Sequence, residues 1–142
     1  MNKYVLVDSC YWFGLLDDKD SYHIPANTIS ELIKDYKIIV PYPSMYEVLN
    51  SKFIKSKNRL SQFEEIMKSG KVEFLFDESY RDEALKNTYS IHRRTIPQIS
   101  LVDSIIREVI KDINIKIDYV ITFNEKDFKD VCDIRSIEIV SE

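Results

Sequence analysis

Four carboxylates stand where they could share a metal ion. Asp8 ends the apolar run 4–7, and Glu47 lies six residues beyond the run 38–41. Asp103 falls in the first turn of a helical pattern that begins near Ser100, and Asp127 follows the run 119–122 with Asn124 just before it. These acids come from separated segments, each near the start of a helix, and three of the segments follow strands. A carboxylate buried at the end of a central strand costs several kcal/mol if left unpaired. The nearest basic residues in sequence, Lys3 and Lys19, are not adjacent to Asp8. A hard divalent cation such as Mg2+ or Mn2+ takes oxygen ligands from two or more chain segments. One ion bridging Asp8, Glu47 and Asp103 would offset the burial of Asp8.

Every one of these positions also has a capping explanation. Ser44-Met45-Tyr46-Glu47 has the spacing of a capping box, and Ser100-Leu101-Val102-Asp103 repeats it with an aspartate. Asn124 precedes an acid by three residues in Asn124-Glu125-Lys126-Asp127, and Asp8 can itself cap the helix behind it. An acid in a first turn suits the helix dipole as well. Capping and ion binding are compatible, because one side chain can do either in different states.

The elements that must position these acids are legible from hydrophobic spacing. Short β-branched or aromatic runs at 4–7, 38–41, 72–76, 119–122 and 137–140 read as strands. A helix starts near Ser9. Further helical patterns cover 23–36, 44–57, 59–69, 79–93 and 101–114, with Gly70 as the stop after 59–69 and a short helix at 125–131. Strands alternating with helices predict an α/β three-layer sandwich around a central, mostly parallel sheet of four to five strands. Ligands of such sheets sit beyond the carboxyl ends of the strands, which is where the acids fall. No linker or internal repeat interrupts residues 1–142, so one domain is expected.

Composition narrows the function classes. With 44% hydrophobic residues and only 2 Gly and 4 Pro, the chain can bury a core and has no low-complexity segment. No apolar run reaches membrane-spanning length and no secretory leader is visible, so a cytoplasmic protein is expected, without a membrane partner. Cys10 and Cys132 share no metal-ligand spacing and read as small buried hydrophobes. A net charge of −4 does not mark a general nucleic-acid binder. The distribution is uneven: residues 1–50 sum to −3, 51–100 to +3 and 101–142 to −4. A fold that joins the acidic ends would gather negative charge and flank it with a basic face. A phosphoaspartyl site is disfavoured, since Asp8-Ser9-Cys10 lacks the second aspartate that a D-x-D motif carries.

Four blocks in order resemble the PIN-domain ribonucleases, the fold of VapC-type toxins in bacterial toxin–antitoxin pairs: VLVDSCYWFGLL (5–16), PYPSMYEVLN (41–50), ISLVDSIIREVI (99–110) and YVITFNEKDF (119–128). They span nearly the whole chain. The resemblance implies a PIN-like fold and a Mg2+- or Mn2+-dependent endoribonuclease, with Asp8, Glu47 and Asp103 as the catalytic acids. It implies Asp8 and Asp103 as ion ligands, and Ser9 and Thr122 supporting them. One departure stands out. Asn124 occupies the place of the usual fourth acid; its amide oxygen can still ligate a cation or support the other ligands, as Ser9 and Thr122 would, but brings no charge. Asp127, one turn further on, is the candidate substitute ligand. RNA is the implied substrate, with Lys52, Lys55, Lys57 and Arg59 on one basic stretch and His92, Arg93 and Arg94 on another as backbone contacts. An antitoxin protein and a second copy of the chain are the implied partners, with Tyr46 and Phe53 as exposed aromatic candidates for such contact. Tyr11, Trp12 and Phe13 read as core or interface. The competing expectation is a PIN-like binding module that does not cleave.

Overall fold

A computed structural model describes residues 2–92 and 99–142, apart from the side chains of Ile91 and His92. Arg93 and Arg94 lie outside the described residues. Five strands form one sheet: β1 (Tyr4–Val7), β2 (Lys37–Pro41), β3 (Val72–Leu75), β4 (Tyr119–Ile121) and β5 (Glu138–Val140). All neighbouring pairs are parallel, in the order β3-β2-β1-β4-β5. The helices are α1 (Ser9–Leu16), α2 (His23–Leu32), α3 (Pro43–Leu49), α4 (Lys57–Lys68), α5 (Arg81–His92), α6 (Leu101–Lys111) and α7 (Lys129–Ile134). Single 3₁₀ turns occupy Lys52–Lys55 and Glu125–Asp127. The expected α/β sandwich around a parallel sheet is the architecture found.

Alternation within β1 divides the core. Val5 and Val7 point to one face, packing with Trp12, Ala26, Ile29 and Phe63 from α1, α2 and α4. Leu6 points to the other, packing with Ile106, Ile110, Val120 and Val131 around α6 and α7. Val5, Leu6 and Val7 are fully buried, as expected of the middle strand in a sheet covered on both faces. Trp12 anchors the first face through edge-to-face contacts with Tyr11 and Phe63 at centroid distances of 5.1 and 5.7 Å.

The strand order creates the crevice. The chain runs from β1 outward through β2 to β3, then returns to β4 on the opposite side of β1. That reversal between β1 and β4 is the topological switch point, where parallel α/β sheets bind ligands. The backbone N–H of Asp8 donates to the Ile121 carbonyl at 3.0 Å, so the two strand ends are tied together there.

Several local expectations need correction. The helix expected over 44–57 stops at Leu49. Ser51 accepts from the Phe53 N–H and donates to the Val48 carbonyl, starting a new turn instead of continuing the old one. Phe53 is buried, not exposed, because that turn folds it against Phe13 and Phe63. Ser44 is not a cap. α3 begins at Pro43, whose fixed φ and missing N–H suit a first helical position, so Ser44 lies inside the helix and Glu47 in its second turn. The helix expected over 125–131 is a 3₁₀ turn followed by α7. Gly70 follows the Ser69 cap of α4 without adopting a left-handed conformation.

Candidate functional site

Asp8 sits at the crevice because β1 ends there and α1 begins. Its extended backbone (φ −77°, ψ 155°) makes it the N-cap, and Oδ1 accepts the Ser9 N–H at 2.8 Å. Oδ2 accepts the Thr122 hydroxyl at 3.0 Å and the Cys10 thiol at 3.5 Å. An ionised carboxylate has about four acceptor positions, so Oδ1 keeps one open beside its cap bond. The side chain is almost completely buried. Burial pushes the Asp8 carboxyl above its ordinary range, the hydrogen bonds from Thr122, Ser9 and Cys10 pull the other way, and the charge on Asp127 pushes it further up.

The other acids arrive from α3, α6 and the turn after β4. Glu47 is half-buried, and its Oε1 accepts the Ser9 hydroxyl at 2.9 Å. Ser9 therefore bridges two acids, its N–H on Asp8 and its hydroxyl on Glu47. Burial raises the Glu47 carboxyl, the Ser9 bond lowers it and Asp8 raises it. Asp103 lies in the first turn of α6, where Ser100 caps the helix by accepting the Asp103 N–H at 3.1 Å. Its carboxyl is pushed up to about 7, first by burial and then by the charges of Asp8, Glu47 and Asp127. Asp127 occupies the 3₁₀ turn Glu125–Asp127. Asp103 thus feels the charges of Asp8, Glu47 and Asp127, and Asp8 that of Asp127, across one crevice.

Among the described residues, no cation forms an ion pair with Asp8, Glu47 or Asp103. Nor do three or more His, Cys, Asp or Glu side chains among them form a ready group for holding a metal ion. The acids are within electrostatic reach of one another. The donor set, all carboxylate, hydroxyl and amide oxygens, suits a hard divalent cation in kind.

The supporting residues divide clearly. Ser9 and Thr122 contact the acids directly. The Thr122 hydroxyl also accepts the Asn124 N–H at 3.0 Å, which pins the turn after β4. The Asn124 side chain is exposed and makes no cap bond. Cys10 is more than the buried filler expected. Its sulfur touches Asp8, lies 3.9 Å from the Thr122 hydroxyl and accepts the Phe123 N–H at 3.4 Å. Burial and the neighbouring Asp8 push its thiol up to about 12, so it stays protonated and can donate. Arg107 was also missed, although it lies one turn beyond Asp103 on the same face of α6. It spans to the Asp127 carbonyl and the Asp130 carboxylate.

The basic stretches fare differently. Lys52 and Lys55 are exposed on the 3₁₀ turn that follows α3. Arg59 is already engaged, donating to the Phe53 carbonyl at 3.2 Å, lying over the Phe53 ring and facing Asp17 at 3.8 Å. Among the described residues, no helix is long and apolar enough to cross a membrane.

No protein-family model matches the sequence, and no curated protein matches it either. Solved structures do match. VapC20 of Mycobacterium tuberculosis, described as a sarcin-ricin loop cleaving toxin, superposes with a TM-score of 0.67 at 15% identity, covering 87% of this chain and 92% of its own. A chain of the Rickettsia felis VapBC2 complex, solved with a DNA fragment from its promoter, superposes with a TM-score of 0.62 at 14% identity, covering 96% of both chains. With its five parallel strands, its switch point between β1 and β4 and these superpositions, the chain has the PIN-like fold of the VapC toxins.

Proposed function

We propose that the protein is a Mg2+- or Mn2+-dependent endoribonuclease, acting in the cytoplasm as the toxin of a toxin–antitoxin pair. One observation carries the reading: Ser9 ties Asp8 and Glu47 together at the switch-point crevice, where Asp103 feels both charges, and none of these three acids is ion-paired among the described residues. Asp8 and Asp103 would hold the ion, with Asp127 as the further oxygen donor. When bound, a divalent ion neutralises the scissile phosphate and lowers the pKa of a coordinated water. Glu47, its carboxyl raised and one oxygen fixed by Ser9, is suited to take a proton from the attacking water. Thr122 and Cys10 keep Asp8 oriented. Lys52 and Lys55 are proposed phosphate contacts along the RNA, joined by Arg93 and Arg94 ahead of α6. The likeness in fold to a VapBC2 chain motivates an antitoxin as partner, and a homodimer is carried as a second association to test.

The test is cleavage of a panel of RNAs with Mg2+, with Mn2+ and with EDTA, comparing wild type with Asp8→Asn. Ion-dependent cleavage that falls at least a hundredfold in the variant supports the reading. Cleavage indifferent to both EDTA and Asp8→Asn overturns it. A second reading, a PIN-like module that binds without cleaving, is favoured by the uncharged Asn124. It predicts no cleavage under any ion, with RNA or protein binding retained in Asp8→Asn.

A further inference from the structure

Asn124 leaves the site one charge short, so what holds Asp127 matters. Asp127 lies on a three-residue 3₁₀ turn, an element with few hydrogen bonds of its own: the Asp127 N–H reaches the Asn124 carbonyl at 3.0 Å and the Phe128 N–H the Glu125 carbonyl at 3.1 Å. Such a turn frays easily unless something outside it fixes its end. Arg107 provides that fixation. Its Nη1 donates to the Asp127 carbonyl at 2.8 Å, while Nη1 and Nη2 grip Asp130 Oδ1 and Oδ2 at 2.7 and 2.8 Å. The guanidinium is largely covered, its side chain 18% exposed, whereas Asp130 is 60% exposed. The hydrogen bonds of Arg107 reach the Asp127 carbonyl and the Asp130 carboxylate, not the Asp127 carboxylate.

The placement of Arg107 on α6 adds the second half. Positions i and i+4 of a helix share a face, so Arg107 stands one turn above Asp103. A rigid, two-pronged side chain thus fastens the turn carrying one acid to the helix carrying another. Lysine offers a single point charge and cannot make both contacts at fixed geometry.

We propose that Arg107 is a positioning residue that clamps the Asp127 turn to α6, so that Asp127 takes the ligand role Asn124 does not fill. The proposal rests on the metal-site reading given above. It is tested on the full chain with Arg107→Lys and Arg107→Met, with Tyr80→Phe as control. Tyr80 donates to Asp112 at 2.6 Å at the far end of α6, so its loss loosens the same helix without touching the clamp. The first readout is hydrogen exchange of the Asp127 and Phe128 amides in the metal-free protein. Both Arg107 variants should exchange there at least tenfold faster than wild type, and Tyr80→Phe should not. The second is Mn2+ affinity by calorimetry. Loss of a group that orients a ligand typically weakens metal binding 10- to 100-fold, so both Arg107 variants should bind about tenfold more weakly or worse. Mn2+ affinity unchanged in Arg107→Lys and Arg107→Met, against measurable wild-type binding, overturns the clamp alone. Equal weakening in Tyr80→Phe overturns it too, because the effect would then be general loosening of α6. No Mn2+ binding by wild type overturns the metal-site reading and the clamp with it.

Discussion

Asp103→Asn should stabilise the metal-free protein at pH 8, an unusual outcome for a half-buried residue. The Asp103 carboxyl is held at about 7 against an ordinary 3.8, chiefly by burial and then by Asp8, Glu47 and Asp127. A folded-state pKa above the unfolded one means the native state binds more protons between those values. Stability therefore falls as pH rises from about 4 to about 7 and stays low above. The full linkage is about 4 kcal/mol. Asp103 is partly open to water, and screening reduces that to about 1–2 kcal/mol. Against it stands the favourable first-turn position at the N-terminus of α6, worth about 0.5 kcal/mol to the charged form. Asparagine has nearly the same shape, and the Ser100 cap bond uses the backbone N–H, which it keeps. The net expectation is a gain of about 1 kcal/mol, or about 3 °C in melting temperature for a chain of this size. Differential scanning fluorimetry in EDTA at pH 8 and pH 4.5 measures it, and the gain should shrink to about a quarter at the lower pH, where little of the penalty has yet developed. If Asp103→Asn instead loses stability at pH 8, the crevice is not strained by like charges and the argument for an ion there fails.

Mn2+ should raise the melting temperature of wild type by mass action, about 2.7 kcal/mol at a hundredfold excess over Kd, and Asp8→Ala should abolish the rise. Cys10 should resist alkylation in the native protein at pH 8 and react fully on unfolding, because its thiol is pushed up to about 12; mass spectrometry of iodoacetamide-treated protein reads this, and rapid native labelling would refute it. Gly14→Ala should destabilise by about 1–3 kcal/mol in urea titration, since a Cβ there would stand 3.0 Å from the Tyr22 carbonyl oxygen and 3.2 Å from the Ala26 Cβ, wedging α1 from α2.

Why some of this was legible beforehand and some was not follows from the range of the forces. The strands were readable because a parallel sheet covered on both faces needs continuous apolar runs, and Val5, Leu6 and Val7 are such a run. Asp8 was readable because a charge directly after a buried strand is anomalous. Ser44 misled because a capping box and a helix begun one residue earlier by proline share the same letters. The break after Leu49 had its own signal in Ser51, whose hydroxyl competes for backbone groups. Cys10 and Arg107 were hidden for a different reason. Thr122 and Phe123 meet Cys10 only because β4 returns beside β1, and Asp127 and Asp130 meet Arg107 only because the segment after β4 packs back on α6; helical spacing along one segment reveals neither neighbour. The strand order itself, with its reversal at β1, was likewise set by contacts between distant segments.

Asn124, at the position where the resemblance places a fourth acid, gives the sharpest test of how the proposed site would make up its charge. Asn124 is exposed, and its backbone N–H, not its side chain, holds Thr122. Asn124→Asp should therefore leave the fold intact, with a stability change within about 0.5 kcal/mol in EDTA. Its effect should appear only with the ion. An added carboxylate among the ligands of a divalent cation, screened as in water, contributes about 1–2 kcal/mol, about tenfold in affinity. Calorimetry with Mn2+ should show that gain in the single variant. In Asp127→Asn, affinity should fall, and adding Asn124→Asp to it should restore most of the loss, because either carboxylate would complete the same set of donors. If Asp127→Asn leaves Mn2+ binding untouched, the turn after β4 contributes no charge, and Asp8, Glu47 and Asp103 must hold the ion by themselves.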